Sequence, residues 1–311
     1  MTRWLRSFWV RAGITAVILA YLLRQVDVGA ALRAMLQASP LALAVVAALV
    51  LLDRVVMIWR WVLLLRASGT PVETKTAARI FLVSSFVGSF LPAGVGGDAA
   101  RAYALGQRTS QRGAAVASVA VDRLLGVIAI ATMGGLGIAA YARSHPDPQV
   151  QLVAVSSAAV VIAGSIAAVC ADRWLRWLPS AWHAWTPLRL ALRIADAVAE
   201  YRQQPRTLAT VFGLSVAVQL LRILQAYGLG LGLGLTVPFA YYLVFMPIGL
   251  LMLLLPISVS GFGLPQGVMV WLLRPLGVPD ELSFALTTLI VLSGLFGNLP
   301  GAVLYLQARH H

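Results

Sequence analysis

The sequence predicts an all-α polytopic membrane protein, with about six full transmembrane helices plus two re-entrant helical hairpins in an inverted-topology repeat. Three observations predict it. Hydrophobic residues make up 60% of the 311 and charged residues 11%, against about 45–50% and about 25% in a globular domain. Mean hydropathy is +0.85. The apolar residues fall in long uncharged runs, two of which are broken by similar Gly/Pro-rich elements. With 24 basic and 11 acidic side chains, the chain cannot build the polar shell of a soluble protein. A soluble enzyme, a disordered chain and a nucleic-acid-binding domain are therefore excluded.

Each element follows from the spacing of charge and of helix breakers. A span needs about 20 mostly apolar residues. Ala12–Leu23 makes the first, with Arg11 at its cytoplasmic end. No small-residue cleavage site follows Thr2–Arg11, so this is not expected to be a secretory signal. Ala34–Leu52 continues through Asp53, Arg54 and Arg60 to about Leu65. Leu124–Ala142, extended back to about Ala114, is a full span, and so is Pro148–Ala171. Thr207–Gly230 carries one charge, Arg222, and Leu282–Ala308 closes the set with a kink expected at Pro300.

Two regions do not fit single spans. Ile80–Gly97 is uncharged but broken by Pro92, Gly94, Gly96 and Gly97. Ile223–Leu273 is uncharged over 51 residues, too long for one helix. Its pieces Phe239–Leu255 and Leu264–Leu273 are each short for a crossing, as are Ile80–Leu91 and Asp98–Gln107. A hairpin that enters and leaves on one side fits these lengths. The chain thus reads as a single transmembrane domain, 1–311. A first half covers 10–142 with a re-entrant hairpin at about 80–108. A connecting span and basic interfacial segment cover 143–206. A second half covers 207–308 with a hairpin at about 239–275.

Orientation follows from loop charge. Asp172–Arg206 carries six Arg against three acids, whereas Tyr141–Gln149 carries only Arg143 and Asp147. The positive-inside rule makes the former cytoplasmic, and counting outward makes both termini cytoplasmic. Trp59, Trp61, Trp174, Trp177, Trp182 and Trp185 all fall where an interfacial belt is expected.

The two breaks resemble each other. Leu91-Pro92-Ala93-Gly94-Val95-Gly96-Gly97 and Leu255-Pro256-Ile257-Ser258-Val259-Ser260-Gly261 agree at four of seven positions, at an offset of 164. Three spans lie between them, so the second is upside down relative to the first. Paired Gly/Pro-interrupted segments of this kind mark a binding site in inverted-repeat membrane proteins. The helix beginning near Asp98 would present free N–H groups at a positive dipole end. Gly96 and Gly97 would let a headgroup approach the backbone. Asp98 could equally serve as the N-cap of that helix.

Charges inside membrane segments are functional hypotheses by default. Here they are Asp53, Arg54, Arg60, Asp98, Arg101, Asp122, Arg123 and Arg222: five Arg against three Asp. If each Asp pairs with one Arg, two positive charges are left, which a phosphate headgroup would complement through bidentate hydrogen bonds. Asp98 and Arg101 lie three apart, on one helix face. Arg60 could instead snorkel to the interface beside its Trp neighbours, and Arg54 and Arg123 could be structural partners of Asp53 and Asp122. The only Cys, Cys170, and four His outside the apolar runs leave no thiolate metal site and no His-based membrane chemistry to expect. No cofactor is expected.

These residues also carry a family resemblance. Arg60-Trp61, then Gly96-Gly97-Asp98-Ala99-Ala100-Arg101 with Pro92 and Gly94 before it, then Asp122-Arg123, then Pro256, Ser258, Ser260, Gly261 and Gly263 resemble the flippase-like family. That family is also called the lysylphosphatidylglycerol synthase transmembrane region. The resemblance covers about residues 10–307. It implies a bacterial or archaeal inner-membrane protein that moves lipids between leaflets. Some members carry a soluble aminoacyltransferase domain. None is present in this sequence, so aminoacyl-lipid synthesis is not expected. The family often has an acidic residue shortly after the second Gly-rich element, where this chain has Gln266.

The expected function is a lipid translocase for an anionic or phosphate-bearing lipid, its partners being a membrane phospholipid or a polyprenyl-phosphate-type lipid. The alternatives are a non-transporting scaffold for a lipid-pathway enzyme and, more remotely, a membrane-embedded lipid-modifying enzyme. A homo-oligomer is compatible with the sequence.

Overall fold

The computed structural model describes residues 26–70, 72–91, 95–109, 112–144, 148–177, 192, 195–196, 199–252 and 264–309. The expected first span at 12–23 and the second Gly/Pro element lie outside them. Every regular element among the described residues is helical. In chain order these are α1 Val28–Leu36, α2 Pro40–Ala67, α3 Thr74–Phe90, α4 Val95–Gly106, α5 Arg112–Ser144, α6 Pro148–Val169 and α7 Ala171–Leu175. They continue as α8 Pro205–Gly232, α9 Phe239–Met252, α10 Leu264–Leu273, a 3₁₀ turn Arg274–Leu276, α11 Asp280–Phe296 and α12 Leu299–Arg309. Among the described residues, four stretches can cross a membrane by length and composition: Pro40–Ala67, Gly113–Arg143, Pro205–Gly232 and Asp280–Gln307.

Local chemistry sets the boundaries. Asp27 caps α1 by accepting from the Ala30 N–H at 2.9 Å. The apolar run expected to begin at Ala34 is divided at Gln37–Ser39, because Pro40 fits only the first turn of a helix. Pro205 starts α8 in the same way. The last span bends earlier than expected, at Gly297–Asn298, with Pro300 inside the first turn of α12. A proline ring clashes with the carbonyl four residues back, so the break falls on its N-terminal side. Gly297 also makes room there, since a Cβ would lie 2.7 Å from the Arg54 Nε.

The helices of the two halves pack in matching ways. The 28-residue helices α2 and α8 lie against each other. Helix α5 packs on α9, and α12 packs on α3. Both of the latter contacts are made backbone to backbone through a glycine. A Cβ on Gly137 would overlap the Leu243 carbonyl oxygen, and one on Gly301 the Leu82 carbonyl oxygen. These two glycines are 164 residues apart, the offset that relates the two Gly/Pro elements. Small residues let membrane helices approach this closely where lipid provides no hydrophobic drive.

The 12-residue α4 and the 10-residue α10 are about 18 and 15 Å long at 1.5 Å per residue, too short to cross alone. Helix α4 folds back along α3, and a Cβ on Gly88 would sit 2.6 Å from the Gly97 Cα.

Trp61 corrects one expectation. It is fully buried, its Nε1–H donates to Ser118 Oγ at 3.3 Å, and it packs with Phe81, Leu105 and Ile80. It belongs to the core, not to an interfacial belt. Trp59, Trp174 and Trp177 are exposed, as belt residues should be, whereas Trp182 and Trp185 lie outside the described residues. The segment before α8 is fastened to the end of α2. Tyr201 donates to the Leu64 carbonyl at 3.2 Å and Gln204 to the Ala67 carbonyl at 2.7 Å. Burial pushes the Tyr201 hydroxyl up to about 12.

Candidate functional site

Five helices and one turn enclose a half-open cavity of about 280 Å³. Helix α2 supplies Arg54 and Arg60, α4 supplies Asp98 and Arg101, α5 supplies Asp122 and Arg123, and α8 supplies Gln219 and Arg222. Helix α3 contributes the small polar face of Ser84, Ser85 and Ser89, and Asn298 enters from the turn between α11 and α12. All five arginines singled out in the sequence therefore line one space. Spacing explains part of this. Residues three and four apart share a helix face, which aligns Asp98 with Arg101 and places Gln219 beside Arg222.

The charges form two alternating chains. The first runs Arg123–Asp98–Arg101–Asp122–Arg60, with separations of 3.5, 3.0, 3.0 and 2.7 Å. The second runs Arg54–Asp53–Arg222, at 3.9 and 3.4 Å. Each chain begins and ends on arginine. The expectation that two arginines stay without an acidic partner is thus replaced. Every one of the five touches a carboxylate, because each aspartate is shared between two of them. The excess of two positive charges persists and is spread along the chains. Arg123 also pairs with Asp98, not with its sequence neighbour Asp122: adjacent helix positions point about 100° apart and do not face each other.

Burial separates two kinds of arginine. Arg60 and Arg101 side chains are each 5% exposed. Arg60 is held by Asp122 and by Ser215 Oγ at 3.1 Å, so it does not snorkel. Arg101 lies 5.0 Å from the Trp61 ring centroid and 5.2 Å from that of Phe81, stacked by cation–π attraction. Arg123 is 40% and Arg222 25% exposed, with ion pairs longer than those of Arg60 and Arg101. These two chain ends have guanidinium groups open to the cavity. Arg54 is half committed, donating to the Gly294 carbonyl at 3.2 Å. The buried Nε donors of Arg54 and Arg101 have no acceptor among the described residues.

Two further expectations change. Asp98 is not the N-cap of its helix. Helix α4 begins at Val95, which puts Asp98 at the end of the first turn with its carboxylate committed to Arg101 and Arg123. Gly97 lines the cavity and Gly96 does not, and packing also requires both to be small. A Cβ on Gly96 would overlap the Leu91 side chain, and one on Gly97 would sit 3.1 Å from the Ser84 carbonyl oxygen. Their small size lets α4 pack against Leu91 and the backbone of α3. Pro92, Gly94, Pro256, Ser258, Ser260, Gly261 and Gly263 lie outside the described residues.

Sequence reasoning missed Ser84, Ser85, Ser89, Gln219 and Asn298. Asn298 donates to Ser89 Oγ at 2.7 Å across 209 residues of chain. The usable signal was polarity: Gln219 is a buried amide one turn before a membrane arginine.

The family model described as the lysylphosphatidylglycerol synthase TM region matches residues 8–301. No curated protein matches the chain.

Proposed function

We propose, from the premise that the chain belongs to the lysylphosphatidylglycerol synthase TM region family, that it is a translocase carrying an anionic, phosphate-bearing lipid between membrane leaflets. The observation that carries this reading is the convergence of five arginines on one cavity walled by apolar helices, with only three aspartates to pair them, of which Asp98 and Asp122 line the cavity. Uncompensated positive charge is expensive at that depth, and a phosphate offsets the cost. Arg123 and Arg222 take the headgroup, while Arg60 and Arg101 hold the wall. The acyl or prenyl tail stays in lipid beside the helices.

The arrangement proposed is six full spans with hairpins α3–α4 and α9–α10, the halves being inverted about an axis in the membrane plane. The paired contacts α5–α9 and α12–α3, each made through a glycine at the repeat offset, support it. Both termini face the cytoplasm of a bacterial or archaeal inner membrane, and no catalytic step is assigned to the protein.

The test is transbilayer movement of labelled lipids in proteoliposomes. Phosphatidylglycerol, phosphatidylcholine and a polyprenyl phosphate are compared in wild type, Arg123→Gln and Arg101→Ala. Faster movement of an anionic lipid, lost in Arg123→Gln protein of wild-type stability, supports the reading. No acceleration of any of the lipids by folded, inserted protein sinks it and favours a scaffold for a lipid-pathway enzyme.

A further inference from the structure

We infer that the cavity selects a phosphate monoester in its dianionic form and turns away phosphodiester and cationic headgroups. This deepens the reading above and rests on the cavity being a headgroup site.

The argument begins with charge. Both ion chains end on arginine at each end, so each carries one positive charge beyond what its aspartates neutralise. A monoester carries about −1.5 to −2 at neutral pH, its second pKa being about 6. Among headgroups with a single phosphate, it alone cancels an excess of two. A diester such as phosphatidylglycerol carries one negative charge and leaves half the excess standing. In a low-dielectric wall that remainder is costly.

The carboxylates give the other half of the selectivity. An ammonium group needs an acidic partner, and each of Asp53, Asp98 and Asp122 already bridges two guanidiniums. An aminoacylated or zwitterionic headgroup would set its cation among arginines with no carboxylate to spare. The open groups, Arg123 and Arg222, are each one end of a chain, so the exposed ends are both positive. Three terminal oxygens on a monoester also accept more guanidinium N–H bonds than the two of a diester. Volume adds a limit. A cavity of about 280 Å³ lies at the lower edge of the roughly 300–1,000 Å³ typical of ligand pockets. It suits a bare phosphate and excludes a lipid-linked saccharide from full enclosure.

The same chemistry could arrive on a lipid or in solution, and the test separates the two. Binding to the detergent-solubilised full chain is measured well above the second phosphate pKa of about 6. The ligands are phosphatidic acid, phosphatidylglycerol, phosphatidylcholine and lysyl-phosphatidylglycerol, with glycerol 3-phosphate as the soluble monoester. Phosphatidic acid is expected to bind roughly tenfold tighter than phosphatidylglycerol, the effect of one further charge largely offset by desolvation. Arg123→Gln and Arg222→Gln each halve the excess and should bring that ratio below about threefold. Arg33→Gln, an exposed charge on α1 away from the cavity, should leave it unchanged.

Phosphatidylglycerol or lysyl-phosphatidylglycerol binding as tightly as phosphatidic acid would overturn the inference. So would a ratio unmoved in both cavity variants. Glycerol 3-phosphate binding as tightly as phosphatidic acid would uphold monoester selectivity and assign it to a soluble ligand, which sinks the translocase. Selective lipid binding without movement in proteoliposomes likewise upholds the inference and sinks the translocase. Phosphatidylglycerol moving as fast as phosphatidic acid, with no binding preference, does the reverse.

Discussion

Arg60 on α2 donates from Nε to Asp122 Oδ1 on α5 at 2.7 Å, joining positions 62 residues apart. The other oxygen of the same carboxylate accepts from Arg101 on α4 at 3.0 Å. One side chain therefore ties three helices, and it is 2% exposed. Asp122→Asn should leave two buried guanidiniums short of charge and cost about 3–5 kcal/mol, the range for breaking a buried pair from one side. Thermal unfolding in detergent reads this directly. A wild-type melting temperature would contradict the assigned role.

Wall arginines and open arginines should come apart experimentally. Arg60→Gln strands Asp122 beside one remaining guanidinium and is expected to lower stability by several kcal/mol. Arg123→Gln removes a group that is 40% exposed and 3.5 Å from its partner, and should change stability by less than about 1 kcal/mol. Lipid movement should nonetheless fall in both. Melting and transport measured on the same preparations would show whether the two losses separate.

Glycine substitutions offer a test of the helix packing alone. Gly137→Ala and Gly301→Ala each drive a methyl group into a carbonyl of the neighbouring helix. Overpacking of this kind costs about 1–3 kcal/mol. Gly135→Ala, two residues from the first and with nothing within 4 Å, should be neutral or gain up to about 1 kcal/mol in helix propensity. Equal melting of Gly135→Ala and Gly137→Ala would count against the close α5–α9 contact.

Orientation can be read from the single native thiol. Cys170 is partly exposed at the junction of α6 and α7. A membrane-impermeant maleimide should label it in inside-out vesicles and not in intact spheroplasts. The opposite pattern would invert the assigned topology.

Some of this was legible from residue types alone. Asp98 and Arg101 meet because three residues is nearly one helical turn. Helix starts were read less well: the uncharged runs pointed to Ala34 and Thr207, whereas the prolines at 40 and 205 set where α2 and α8 begin. The pairing of Arg123 with Asp98 was not readable, since periodicity fixes the direction of a side chain within its helix and says nothing about which helix lies opposite. Trp61 beside an arginine resembled an interface residue, because an aromatic next to a cation is the same two letters in a core or at a headgroup. The serines of α3 were silent for a similar reason. Ser84, bonded to its own Phe81 carbonyl at 2.9 Å, costs an apolar helix little wherever it points.

At the contact between Gly88 and Gly97 no side chain separates α3 from α4. Close backbone packing of this kind couples helices, and would make α3 and α4 move together as one lever. That lever bears Asp98 and Arg101, the second and third members of the longer ion chain. Its displacement would carry one positive and one negative charge together out of register with Asp122 and Arg123. The electric field at the cavity would then be a mechanical coordinate. An anion held there would act on the position of the lever, and by reciprocity the lever would set the affinity for the anion.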